Sequence, residues 1–423
     1  MDTHAHWRSL ETRDPEVSAA IRGEELRESR GIELIPSESY AFPEVLATNG
    51  SILTNKYSEG YPGRRYYGGQ EFTDQVERLA IERACRVFRA EHANVQALSG
   101  AAMNLAVYLG LLAPGDVVLA MDLSHGGHLT HGAPVSHVGK LFRFVRYRTR
   151  PDGAIDFDEV RRMALEHRPR MVLCGHSSYP RELDYAAFRR VAEEVEALTM
   201  ADVSHLGGLI AAGVAENPID AGFDVVTTTT HKSLRGPRGG MILCRKALAK
   251  AIDASVFPGL QGGPHMNAIA GIAVALGKAE SPEFRVWAEQ VLANAQRLAE
   301  GLLARHVSLV TGGTDNHLMV VDTQRSFGKD GRAAQQTLDR VGITVNKQVI
   351  PDDPAPPARP SGIRLGTPAA TTRGFGADEM DRLAEWIVEA LGHGDDDGRL
   401  AAVQQEVERL CLRFPVPGLS AEG

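Results

Sequence analysis

Cysteine is scarce in this chain: four residues, at 85, 174, 244 and 411, with no Cys-x-x-Cys pair among 423 positions. That excludes a disulfide framework and the common cysteine zinc sites. Basic charge is in deficit. The 46 Lys+Arg against 54 Asp+Glu leave a formal −8, with no block of like charge, so the basic face of a nucleic-acid binder is missing. Long apolar runs are missing too, and no stretch approaches the roughly 18 apolar residues of a membrane span. The opening MDTHAHWRSL lacks the apolar core of a secretory signal. Aromatics are only 6%, but 43% hydrophobic and 24% charged residues are an ordinary folded composition, which excludes disorder, coiled coil and collagen. The expectation is a soluble, cytoplasmic enzyme with neither a nucleic-acid nor a membrane partner.

Residues 1–54 are polar and short-pitched and read as an N-terminal arm. At Thr73, a candidate N-cap, a helical pattern begins, with Val76, Leu79, Ala80, Ala84, Val87 and Phe88 on one face. Short apolar runs then alternate with helix-length segments: VVLAM (117–121), FRFVRY (142–147), MVLCG (171–175), LTMAD (198–202), DVVTTTT (224–230) and GGMILC (239–244). This alternation predicts a large α/β domain with a mostly parallel sheet over 55–283. A long amphipathic helix, about 284–304, opens a smaller α+β domain over 284–423. Its expected strands are 317–322 and 362–366, and its expected helices 331–341, 378–391 and 399–413. The five prolines of PDDPAPPARP (351–360) forbid regular structure and predict a stiff surface loop.

The chemistry-bearing residues fall after predicted strands, where open sheets place ligand sites. Asp202 ends one strand and His205 follows it; His231 and Lys232 end the rigid β-branched TTTT run. A lysine held at a strand end plus a buried carboxylate suits pyridoxal phosphate chemistry. The lysine makes the Schiff base, and the carboxylate keeps the ring nitrogen protonated. NVQALSGAAMN (94–104) reads as strand, turn and helix, with the Ser99 and Gly100 amides facing a phosphate. Gly262 and Gly263 in FPGLQGGP offer a second close backbone approach to an anion. His125, His128 and His131 have a spacing that can suggest a metal. The GG interrupts a helix and no carboxylate accompanies them in the sequence, which favours one histidine stacking on a ring and no metal. The stretch NKYSEGYPGRRYYGG (55–69) packs four tyrosines, two arginines and four glycines into fifteen residues and reads as a binding loop. Arg364, inside an apolar strand, needs a carboxylate partner, from a substrate or from an internal Arg–Asp pair.

Together, LTNKYSEGYPGRRYYGG, LSHGGHLTHG, DVSH, VVTTTTHK, GPRGG, FPGLQGGP, TGGTDNHL, ITVNK and SGIRLGTP resemble the serine hydroxymethyltransferase family over nearly the whole length. The resemblance implies a pyridoxal phosphate enzyme of fold type I, α/β, with the aspartate aminotransferase-like large domain and a smaller C-terminal α+β domain. Lys232 would carry the cofactor, Asp202 would pair with the ring nitrogen, His128 would stack on the ring, and Ser177 and His205 would lie at its hydroxyl. Ser99 and Gly100 would bind the phosphate, joined by Tyr57, Gly262 and Gly263 of the neighbouring subunit of a homodimer with composite active sites. Arg364, helped by Ser37, would clamp the amino-acid carboxylate. Glu59 and Tyr67, also from the neighbour, would handle protons, with Thr229 and His231 beside the lysine. Tyr57, Glu59, Leu123, Gly127 and Leu129 match positions around tetrahydrofolate, the implied one-carbon acceptor.

Four departures from the family pattern accompany the match: Leu98-Ser99-Gly100-Ala101-Ala102 at the phosphate turn, Gln348, Ala355-Pro356-Pro357, and Pro36 with Ser39. The first removes one phosphate-facing hydroxyl and the amide after it; the pyridoxal phosphate chemistry is untouched, and the folate contacts are the ones affected. The leading reading is therefore reversible serine cleavage with one-carbon transfer to tetrahydrofolate, its binding weakened, with threonine cleavage as a side activity. The alternative is a threonine aldolase, a transaldolase using an aldehyde acceptor, or an α-methylserine hydroxymethyltransferase. A catalytically dead scaffold is disfavoured by the retention of Lys232, Asp202, His128, Glu59 and Arg364.

Overall fold

The computed structural model describes residues 3–419. Its largest element is a seven-stranded sheet. In chain order the strands are β1 (His92–Asn94), β2 (Val117–Met121), β3 (Arg143–Tyr147), β4 (Met171–Gly175), β5 (Leu198–Asp202), β6 (Val225–Thr229) and β7 (Gly240–Cys244). The spatial order is β1-β7-β6-β5-β4-β2-β3. β7 runs antiparallel to both its neighbours, while β6, β5, β4, β2 and β3 pair in parallel. Strands 4, 6 and 7 are buried at every residue, which is why they read as continuous apolar or β-branched runs rather than as alternating ones. All six expected strands form: three with the expected bounds, two shortened by one residue at the start, and the 224–230 run shortened by one residue at each end.

The register aligns the carboxyl ends. Gly175 faces Asp202, and Asp202 faces Thr227. Gly175 has φ +127°, and a Cβ there would lie 2.2 Å from the Asp202 carbonyl oxygen. Only glycine lets the chain turn there and carry the following two residues over the sheet edge.

Two expectations change. The helix predicted from Thr73 starts at Glu71, and its N-cap is Gln70. Thr73 is inside the first turn, its hydroxyl donating to Gln70 O and Oε1, a side-chain bond that competes with true capping. The N-terminal segment is also more than an arm. Pro15–Arg30 is helical, Ile32–Glu33 pairs in parallel with Ile343–Thr344, and Ile32 and Leu34 are buried in the C-terminal core. Two separated apolar positions among charged ones show too little periodicity to reveal that packing.

The smaller sheet has β8 (Leu318–Asp322), β9 (Asn346–Gln348) and β10 (Gly362–Gly366), all antiparallel with β10 central. Around it pack helices Gly331–Arg340, Ala377–Gly392 and Asp397–Arg413. The helix Pro282–Leu303 belongs to both cores: Phe284, Ala288 and Val291 enter the large one, Ala295, Leu298 and Leu302 the small one. Packing therefore changes hands within this helix, between Val291 and Ala295, well beyond the sequence division at 284. Residues 351–360 contain neither helix nor strand. No helix among the described residues is long and apolar enough to cross a membrane.

The glycine-rich 55–69 loop is held by a buried charge network. Arg65, in a two-residue hairpin strand, binds Asp74 at 2.9 Å and Glu77 at 2.5 Å, and donates to the carbonyls of Ser58 and Gly60. Glu77 is fully buried and also accepts from Gln96. Replacing one partner strands the other charge, which costs far more than losing a surface pair. Arg65→Met is expected to lower stability by about 3–5 kcal/mol, measured by denaturant unfolding. A change within 1 kcal/mol, the range of a surface pair, would show that the network is dispensable.

Candidate active site

The parallel strand ends open onto a cleft of about 930 Å³ between the large sheet and β9–β10. β5 delivers Asp202 and, beyond it, His205; β4 delivers Ser177; β6 delivers Thr229, His231 and Lys232; β2 leads to Leu123, Gly127, His128 and Leu129. Ser37, Ser99, Gly100 and Arg364 complete the set. Fourteen of the residues expected from the sequence thus line one cavity.

Asp202 sits at its floor. Burial opposes its charge, yet His131, His128 and Ser204 outweigh that and hold the carboxyl far below the usual carboxylate range. Oδ1 accepts from the Ser204 amide at 3.1 Å and hydroxyl at 2.6 Å; Oδ2 accepts from Asn104 at 2.8 Å and lies 3.2 Å from His131 Nε2. Lys232 shows the opposite outcome. Burial pushes its amine down to about 8, with Asp202 only partly offsetting it. A group that is nucleophilic near neutrality thus stands near a permanent carboxylate. His128 is held at about 4, mainly by burial, and its Nδ1 accepts from the Thr130 amide at 3.2 Å, so it lines the cleft as a neutral flat ring. His231 is likewise pushed to about 4 by burial.

Ser99 caps the helix Gly100–Leu111, its hydroxyl accepting from the Ala102 amide. A Cβ on Gly100 would lie 2.8 Å from Thr229 Cγ2, so the helix start is pressed against the end of β6 and a side chain there would not fit. Its free amides and dipole favour an anion. Among the described residues, Arg364, at the middle of β10, has no carboxylate partner. Nε donates to Asn346 Oδ1 at 3.1 Å and Nη1 donates to the Ser177 carbonyl. Burial lowers its pKa to about 10. The internal Arg–Asp alternative is thereby set aside, and the guanidinium is left for an external carboxylate.

Tyr57, Glu59, Tyr67, Gly262 and Gly263 do not line this cleft. They form a second cluster: Tyr57 donates to Glu59 at 3.1 Å, its ring meets that of Tyr67 edge-on at 5.2 Å, and a Cβ on Gly263 would lie 3.2 Å from the Tyr57 ring. Tyr57 and Tyr67 are 54% and 48% exposed, unusual for aromatic rings in contact. Gln261 ties this loop to the turn before Ser99, accepting from the Leu98 amide and donating to the Gln96 carbonyl.

Sequence reasoning missed several contributors. Contrary to the expectation that no carboxylate accompanies the histidines, Asp202 joins His128 and His131, all donor atoms lying within 4.8 Å. The partner comes from another strand, which spacing cannot reveal. Asn104, a polar residue inside the apolar helix GAAMNLAVYLGL, was the available signal. Asn346, His176, Arg146 and Arg238 also line or brace the cleft.

An amine of depressed pKa, an ionised carboxylate, a flat imidazole, an anion-binding helix start and a guanidinium without a carboxylate partner fit a phosphorylated aromatic aldehyde with a ring nitrogen, and an amino acid beside it. Comparison with known proteins agrees. A family model described as serine hydroxymethyltransferase matches residues 10–387. A protein of that name from Acidothermus cellulolyticus is 53% identical over 419 residues, 97% of each chain. Another from Desulfotalea psychrophila is 51% identical over 411 residues, 97% of this chain and 96% of its own.

With its pKa depressed from 10.5 to about 8, Lys232 is uncharged above that pH and charged below it. Capture of an aromatic aldehyde by cofactor-free protein, trapped with borohydride, is expected to quicken about tenfold per pH unit below 8 and then level off. Lys232→Ala should abolish trapping. A label on another lysine would move the site.

Proposed function

Because the chain belongs to the serine hydroxymethyltransferase family, we propose a division of labour among its residues. The protein is a pyridoxal phosphate-dependent hydroxymethyltransferase, cleaving serine reversibly at Cα–Cβ and using tetrahydrofolate as co-substrate. The observation that carries the assignment to residues is the convergence of Lys232, Asp202 and an uncompensated Arg364 on one cleft.

When bound, pyridoxal phosphate supplies the aldehyde that Lys232 captures and an electron sink for the breaking bond. Asp202 holds a proton on the ring nitrogen. Arg364, with Ser37, would grip the amino-acid carboxylate and so orient the scissile bond for cleavage. The Ser99 and Gly100 amides would hold the phosphate, His128 would meet the ring, and Ser177 and His205 would lie near its hydroxyl. Thr229 and His231 keep the lysine in line. Leu123, Gly127 and Leu129 form the wall for the pterin.

Among the described residues, no Phe, Tyr or Trp lines the cleft, while Tyr57 and Tyr67 stand exposed beside Glu59. A second copy completing each site accounts for both facts. Tyr57, Gly262 and Gly263 would then reach the neighbour's phosphate, and Glu59 and Tyr67 the substrate hydroxyl. The unit proposed is a homodimer with two composite sites. Gln348 and Pro357 line the cleft on what would be the folate side, where Ala355-Pro356-Pro357 replaces the family's Ser-Pro-Phe stretch; losing that phenylalanine would weaken folate by about 1–2 kcal/mol, or about tenfold in Kd.

Mixing inactive Lys232→Ala and Glu59→Gln subunits under exchange is expected to restore about a quarter of the wild-type sites, since half the dimers carry one intact composite site. No recovery would place Glu59 in its own chain's site. For the acceptor, serine-to-glycine conversion should accelerate with saturating tetrahydrofolate. No acceleration, together with a new β-hydroxy amino acid from threonine plus an aldehyde, would establish the transaldolase reading.

A further inference from the structure

One guanidinium of the cleft has no task in the roles above. Arg146, next to last in the edge strand β3, is half-buried and lines the cleft together with Leu129 and Pro134. Strand alternation puts it on the same face as Phe144, whose ring meets that of Tyr108 edge-on at 5.8 Å. Its Nε donates to the Gly132 carbonyl at 3.0 Å. That bond fixes the stem of the fork; among the described residues, neither Nη atom has a hydrogen bond or an ion pair. Two arginines just beyond it differ, since Arg148 pairs with Asp352 and Arg150 with Asp152. A held guanidinium with both tines unused suits a carboxylate or a phosphate.

Distance across the sheet decides which anion that is. The cofactor's phosphate belongs at the helix start, where Gly100 is pressed against Thr229 at the end of β6. The amino-acid carboxylate belongs to Arg364, which is tied to Ser177 after β4. β3 is the far edge of the sheet. The order β5-β4-β2-β3 sets Arg146 three strands from Asp202, about 14 Å at the usual strand spacing of about 4.8 Å. The cofactor is too short to reach both ends, so an anion at Arg146 must arrive on a longer ligand. Tetrahydrofolate has that form: a pterin, a benzoyl ring, an amide, and a glutamate with two carboxylates. From the nitrogens that take the one-carbon unit to the acid, this arm is as long as three extended residues, about 10 Å. The arginine side chain spans the remainder. Leu129, in the turn that Gly132 closes, is 47% exposed, an apolar surface for the benzoyl ring next to the charge.

We infer that Arg146 is a specificity-determining residue for the one-carbon acceptor. It binds a glutamate carboxylate of tetrahydrofolate and makes the cleft prefer acceptors that carry this acid. The inference rests on the folate wall of Leu123, Gly127 and Leu129 proposed above, and adds where the acid end of the acceptor lies.

The test compares two acceptors on the holoenzyme with glycine bound. One is tetrahydrofolate; the other is its bis-amide, in which both glutamate carboxylates are neutral and the shape is kept. In the wild type the bis-amide should bind about tenfold more weakly, in calorimetric Kd and in KM, as for loss of one charge-assisted pair. Arg146→Met should weaken tetrahydrofolate by the same factor and leave the bis-amide where it was, so that the two converge. Arg146→Lys, which keeps the charge without the fork, should fall between. A wild type that does not distinguish the acceptors overturns the inference. So does an Arg146→Met variant that weakens both equally, the mark of a residue that only holds the Gly132 turn. A preference for the acid that survives Arg146→Met also overturns it and moves the contact to another cation, such as Lys347 of β9 on the opposite wall. If the Met variant does not fold, the wild-type ratio and the Lys variant decide. Failure of the folate reading itself looks different: neither acceptor then binds or accelerates serine cleavage in the wild type, and the inference falls with it.

Discussion

Burial acts on Asp202 and Lys232 in the same sense, towards loss of charge, and the site depends on the protein resisting that pressure at one and yielding to it at the other. Four donors on three different segments surround the Asp202 carboxylate, so the charge survives without bulk water. Lys232 has no comparable set of acceptors, and its amine drifts towards neutrality. A permanent anion and a reactive amine in one cleft are the opposing settings that this cofactor chemistry requires. Their positions follow from the parallel pairing of β4, β5 and β6, which brings three strand ends to one edge.

The other half of the cleft comes from the smaller sheet, so its geometry depends on how the two cores are joined. The helix Pro282–Leu303 enters both and acts as a common beam. Arg364 crosses the gap directly, from β10 to the Ser177 carbonyl. An arginine braced by Asn346 on its own side and by a carbonyl on the other keeps its guanidinium plane before any substrate arrives, so little orientation is left to be lost on binding.

The second cluster is organised differently. Tyr57, Glu59 and Tyr67 sit on a loop with little regular structure, fastened from behind by Arg65 and the fully buried Glu77. The anchor is rigid and charged and the face it presents is aromatic and open, an arrangement suited to meeting another surface rather than to covering its own.

Much of this was legible in the chain itself. Strand positions followed from short β-branched runs, and the chemistry of Lys232 and Asp202 from their place at the ends of two of them, because local periodicity and strand-end position are written in consecutive residues. The motifs from LTNKYSEGYPGRRYYGG to SGIRLGTP carried the family. What needed tertiary structure were partnerships between distant residues. Asn104 and His131 reach Asp202 across 98 and 71 positions, and Asn346 and Ser177 share Arg364 across 18 and 187. No spacing rule links such pairs, since their proximity is made by sheet order and by the docking of the two cores. Thr73 failed as a cap for a local reason: the helix begins two residues earlier, and its hydroxyl donates back to Gln70. Ile32 and Leu34 were buried by a strand more than three hundred residues away.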